Sequence, residues 1–177
     1  MVYSQTKIKK LFITFKSLRM DEFNLHLICE SMMILTIDLK TKALVILVIV
    51  VHLMFFVLET IFWMQPQVYS ILLAFLDNPV SLDYLTQALT LKNLFINQGF
   101  YNLFLSIIGI VGMLQVARQQ MTTGLVLILV LCFCGIGAGI VLALSTKAYV
   151  LALFQGVPAA IAFFILYPLY QKSISDV

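Results

Sequence analysis

Four stretches of the chain are predominantly apolar: Ala43 to Met64, Ile96 to Ala117, Gly124 to Ser145 and Ala148 to Tyr170. Each is long enough to cross a bilayer as a helix, which takes about 20 residues. The last three contain no charged side chain, and the first contains Glu59 with His52 seven residues before it. Val and Ile are frequent in these runs. Helices are nevertheless expected, because backbone amides in lipid need partners within their own segment. The links at 118–123 and 146–147 are short, so spans two, three and four should be antiparallel neighbours. The pattern predicts an all-α fold, an integral membrane four-helix bundle over residues 41–172.

Between the first two spans, Gln65 to Phe95 forms a mixed segment. Pro66 suits a first helical turn, Val68 to Leu76 is too short to span, and Asp77, Asn78 and Pro79 predict a turn. Ser81 is the expected N-cap of a further helix leading into span two. The segment is expected to fold back over the bundle mouth as a lid. In residues 1–40, Ile8, Leu11, Phe12, Phe15 and Leu18 recur at helical spacing among Lys7, Lys9, Lys10, Lys16 and Arg19. This is the pattern of a basic amphipathic helix on an anionic membrane surface. The competing expectation is a misassigned start, with Met20, Met32 or Met33 as the first residue.

Composition sharpens the class. Of 177 residues, 62% are hydrophobic and 11% charged, and the mean hydropathy is +1.06. Soluble domains run near 45–50% apolar with about a quarter charged, so a lone water-soluble domain and a disordered chain are both excluded. The net charge of +3 is too small for nucleic-acid binding. Its distribution is more informative. Lys7, Lys9, Lys10, Lys16, Arg19, Lys40, Lys42, Arg118 and Lys172 fall on one side, and Lys92 and Lys147 on the other. The positive-inside rule then places both termini in the cytoplasm of a multi-pass cell-membrane protein. No signal peptide is predicted, since Lys16 and Arg19 interrupt the early apolar run. Three cysteines, two of them Cys132 and Cys134 within a span, do not make a disulfide framework. No zinc or cofactor motif is present.

Polar side chains inside spans are costly and mark candidate sites. His52 and Glu59 lie two turns apart on one face, with Trp63 a turn beyond. Gln98, Asn102, Ser106 and Gly109 form a stripe in span two. Ala148, Ala152, Gln155, Ala159 and Ala162 form one in span four. At 1.5 Å per residue, Glu59, Asn102 and Gln155 all fall roughly 7–10 Å below the outer ends of their helices, and His52 roughly 18 Å down. The expected result is an outward-facing cavity lined by Glu59, Asn97, Gln98, Tyr101, Asn102 and Gln155, with His52 at its floor and Trp63 near its rim. Three functions suit it: binding of a small molecule or lipid, isomerase chemistry with Glu59 as base and His52 or Tyr101 as acid, or a structural subunit whose amides only bond helices together. Gly135 and Gly139, four apart in mid-span, are expected to allow close helix packing, and the small-residue stripes would also serve a helix-mediated oligomer. Pro158 is expected to bend span four.

Three ordered motifs carry a family resemblance: His52 to Trp63 (HLMFFVLETIFW), Asn97 to Asn102 (NQGFYN) and Gln155 to Ala159 (QGVPA). Over about Asp38 to Tyr170 the chain resembles the four-span bacterial membrane proteins catalogued as domain of unknown function thirteen-hundred-and-four. Members of that family are sometimes labelled epimerases. The resemblance implies a four-helix membrane fold with these motifs around one cavity, and no established reaction. The 40 residues before the match are longer than the family's usual N-terminus.

Overall fold

A computed structural model describes residues 37–77 and 80–175. The expected basic helix of residues 7–19 lies outside the described residues, as do Asn78 and Pro79 of the expected turn. The described chain forms five helices: α1 (Leu39–Phe56), α2 (Pro66–Leu76), α3 (Tyr84–Ala117), α4 (Met121–Ser145) and α5 (Tyr149–Ser175). A π turn, Val57–Ile61, extends α1. With that turn included, four helices of 23, 34, 25 and 27 residues are long and apolar enough to cross a membrane.

Why they form is visible at their ends. Asp38 caps α1, its carboxylate accepting from the Thr41 and Lys40 amides. Pro66 occupies the first turn of α2, where its missing N–H costs nothing, and Asp77 ends that helix in the left-handed conformation at φ 50°. The Ser81 expectation is corrected. Asp83 caps α3, accepting from the Thr86 amide at 3.0 Å and its hydroxyl at 2.6 Å. The same hydroxyl holds the Asp83 carboxyl below its usual pKa. The Gln87 amide also binds the Leu82 carbonyl at 2.7 Å, which keeps Leu82 outside the helix. From Asp83 onward nothing interrupts the backbone ladder, so the helix expected to lead into span two and span two itself are one element. At 1.5 Å per residue α3 is about 51 Å long, against a hydrocarbon core of about 30 Å.

The four long helices form a ring in which α1 packs on α3 and α5, and α4 on α3 and α5. Their buried positions recur at alternating three- and four-residue spacing. Thr41, Val45, Val48, His52, Phe55 and Glu59 make this seam along α1 and its π turn, and Ala148, Ala152, Gln155, Ala159, Ala162 and Leu166 make it along α5 and the residue before it. This is the spacing of a helical-bundle seam. The outward faces are apolar instead: Phe133, Leu144, Leu153 and Phe164 are all more than half exposed. Such an arrangement suits a solvent of acyl chains rather than water.

Without a hydrophobic drive between helices in lipid, close backbone packing must hold them. A Cβ on Gly139 would stand 2.9 Å from the Ala152 carbonyl and from the Gly156 backbone, and one on Gly124 2.8 Å from the Gly112 carbonyl. A Cβ on Gly137 would meet nothing within 4 Å. Gly139→Ala should therefore cost about 1–3 kcal/mol of stability, whereas Gly137→Ala should be neutral or slightly stabilising. Denaturant unfolding of the purified protein in micelles checks this, and equal stability of the two variants would contradict the packing.

Candidate functional site

Near the end of the ring that carries α2 the helices line a cavity of about 390 Å³. Its polar lining is Glu59 from the π turn, Gln98 and Asn102 from α3, Ser145 from α4 and Gln155 from α5. Its apolar lining is Phe55, Leu72, Leu76, Leu94, Phe95, Ala138, Val141, Leu142 and Leu151. A few polar groups in a mostly apolar concavity of this size is the usual make-up of a small-molecule site.

The π turn positions Glu59. Its widened ring, closed by the Phe62 amide on the Val57 carbonyl at 3.0 Å, inserts a residue into the helical register. Gly99 lets this wide turn sit directly on α3. A Cβ there would lie 3.2 Å from the Glu59 Cβ and 3.3 Å from the Phe56 carbonyl, and would collide with the Thr60 hydroxyl. That hydroxyl donates to the Ile96 carbonyl at 3.4 Å, a second link between the two helices. The close approach brings the Asn102 amide onto Glu59 Oε2 at 3.0 Å, and the same nitrogen donates to the Gln98 carbonyl at 3.3 Å. One turn deeper, the Ser106 hydroxyl lies 3.0 Å from the Asn102 carbonyl and 3.3 Å from the Ile49 carbonyl, bridging α3 to α1.

Two groups at the cavity make no hydrogen bond to a described residue: Glu59 Oε1, whose sister oxygen takes the Asn102 amide, and the side-chain amide of Gln155. Both residues are more than nine-tenths buried, and both line the cavity. Polar atoms in such positions need a partner, supplied by water or by a ligand. Away from the cavity, His52 Nε2 and Gln115 Oε1 are buried without a partner among the described residues.

The remaining expected site residues sit elsewhere. His52 is completely buried but does not line the cavity. Phe55, one turn above it on the same face, lines the cavity instead. The imidazole donates from Nδ1 to the Val48 carbonyl at 2.8 Å, and its Nε2, with no partner, faces Gly135, where a Cβ would come within 3.5 Å. Asn97 and Tyr101 are exposed and line no part of the cavity; Asn97 is turned by about 100° of helix from Gln98. Trp63 is buried behind the cavity wall. Its indole donates to the Ala88 carbonyl at 2.9 Å and stacks on Phe95 at 3.7 Å, so it braces that lining ring from the outer layer of Tyr69, Leu72 and Leu73. Sequence reasoning missed Phe55 and the leucine pair Leu72 and Leu76. Both were signalled by spacing, Phe55 four residues before Glu59 and the leucines one helical turn apart on α2. Among the described residues no three His, Cys, Asp or Glu side chains gather to hold a metal ion.

Helix α2 contributes Leu72 and Leu76 to the cavity wall. Its C-terminal Asp77 pairs with Lys147 in the α4–α5 link. Both partners are largely solvated, so this latch contributes about 0–1 kcal/mol.

Fold and site together define a small, helical, multi-pass bundle with a polar-ended cavity. The chain belongs to the family described as protein of unknown function (DUF1304), whose model matches residues 46–167. That match takes in α3 and α4 whole and most of α1 and α5, including Glu59, Asn102 and Gln155. No curated protein and no solved structure matches the chain.

Asn102→Leu removes the one donor to Glu59 among the described residues and leaves a buried carboxyl without it, and should cost about 1–3 kcal/mol. Asn97→Leu, at an exposed position, should leave stability unchanged. Unfolding curves in micelles measure both, and equal effects would contradict the assigned geometry.

Proposed function

We propose that this protein resides in the cell membrane with both termini cytoplasmic and binds a small molecule or lipid in the cavity, which opens outward. The observation that carries the binding reading is Gln155. An amide retained only to bond helices together would reach a partner on a neighbouring helix. Gln155 is buried, makes no hydrogen bond to any described residue, and lines the same cavity as the open oxygen of Glu59. Asn102 does serve as such a bond, and in doing so fixes one carboxyl oxygen and leaves the other directed at an occupant.

The geometry favours binding over isomerisation. The isomerase reading, with Glu59 as base, needs a second proton-carrying group in the same cavity. His52 stands below Phe55, and Tyr101 is exposed outside the cavity, so Glu59 is the only ionisable side chain among the described lining residues. The charge distribution supports the orientation, with Lys40, Lys42, Arg118 and Lys172 at the end of the bundle opposite the cavity.

Protein extracted from its native membrane in mild detergent should carry a co-purifying small molecule detectable by native mass spectrometry. Glu59→Gln and Gln155→Leu should each lose it while unfolding within about 1 kcal/mol of wild type, the range of a change that leaves no buried group newly unpaired. Undiminished retention in both variants would sink the binding reading.

A further inference from the structure

The cavity lining selects a charge type as well as a size. We infer that its occupant is a single-tailed amine, its ammonium head seated on Glu59 and its apolar body against α2, α3 and α5. This rests on the binding function proposed above and specifies the ligand class for that site.

Charge balance comes first. Glu59 is the one ionisable group among the described lining residues, and no Lys, Arg or His lines the cavity with it. A phosphate or carboxylate head would meet a carboxyl group with no cation to balance either, at a depth where water screens little. A cationic head supplies the missing partner, and a charge-assisted hydrogen bond to a carboxylate is about twice as strong as a neutral one.

Donor and acceptor balance points the same way. The Asn102 amide nitrogen is already committed to Glu59 and the Gln98 carbonyl. Glu59 Oε1 and both ends of the Gln155 side-chain amide line the cavity without a hydrogen-bond partner among the described residues. An ammonium carries three donors and no acceptor, and so can satisfy Glu59 Oε1 and the amide oxygen at once, the amide N–H groups being left to water. Phe55 and Phe95 in the lining add aromatic surface against which the apolar body can pack.

Shape fixes the rest. The cavity, about 390 Å³, lies at the small end of the range for ligand pockets. Its outer walls are Leu72, Leu76, Leu94 and Leu151, which would pack one alkyl or terpenoid tail. A two-chain phospholipid exceeds that space.

The test uses full-length protein in neutral phosphatidylcholine nanodiscs at pH 7, titrated with n-hexylammonium, 1-hexanol, hexanoate and hexyl phosphate, binding being read by ligand-observed NMR. Hexylammonium should bind at least about tenfold more tightly than hexanol, as one charge-assisted hydrogen bond implies, and the two anions should not bind. Glu59→Gln should abolish the preference for the amine and leave hexanol binding in place. The probe series on wild type decides the matter even if that variant fails to fold. Equal affinity for hexanol, or tighter binding of either anion, would overturn the ligand class while leaving the cavity a binding site, provided that Ala138→Trp, which fills it, abolishes binding. Binding of none of the four probes, or binding that survives Ala138→Trp, would overturn the cavity reading and the ligand class with it.

Discussion

Everything at the candidate site depends on two places where helix backbones touch. At Gly99 the π turn of α1 lies against α3, and at Gly139 and Gly156 α4 lies against α5. Helices in lipid gain nothing from hiding apolar surface from one another, so contacts of this kind hold the ring together. The first contact aligns Glu59 with Asn102 on one side of the cavity, and the second fixes Gln155 beside Ala138 on the opposite side. The space between the two tight pairs is the cavity.

This arrangement separates the roles of polar groups that share one helical seam. Asn102 and Ser106 are spent on neighbouring helices, and the Thr122 hydroxyl, at the far end of the bundle, donates to the Ser173 carbonyl at 3.1 Å. His52 is spent on its own helix through the Val48 carbonyl, and its ring fills the space that Gly135 leaves. Glu59 Oε1 and Gln155 are not spent. An open amide alone does not make a site, since Gln115 Oε1 is also buried without a partner among the described residues but lines no part of the cavity; the site is marked by an open amide and an open carboxyl oxygen lining one cavity.

Much of the fold was legible from residues alone. The four apolar runs, Pro66 as a helix start and the Gly135–Gly139 spacing follow from rules that involve one segment or one neighbour. The shared depth of Glu59, Asn102 and Gln155 follows from helical rise. The π turn was not legible, because it has no residue signature and needs Gly99, 40 positions away, to accommodate it. The start of α3 was misplaced because Ser81 and Asp83 are both good caps, and only the Thr86 and Gln87 side chains decide between them. Asn97 and Tyr101 were grouped with Gln98 and Asn102 by proximity in sequence. A position's face on a helix becomes known only when its neighbours are placed. For the same reason Phe55, an unremarked apolar residue, takes the place expected of His52 at the cavity lining.

The most direct test of the central claim is the accessibility of a cysteine introduced at position 155. In a chain whose Cys29, Cys132 and Cys134 are replaced by alanine, Gln155→Cys should react with a small membrane-impermeant thiol reagent added outside intact cells. Ser106→Cys, buried in the seam, should remain unmodified. Gln155→Cys that is inert from outside, or that reacts only when the reagent reaches the cytoplasmic face, would contradict an outward-facing cavity built around Glu59 and Gln155.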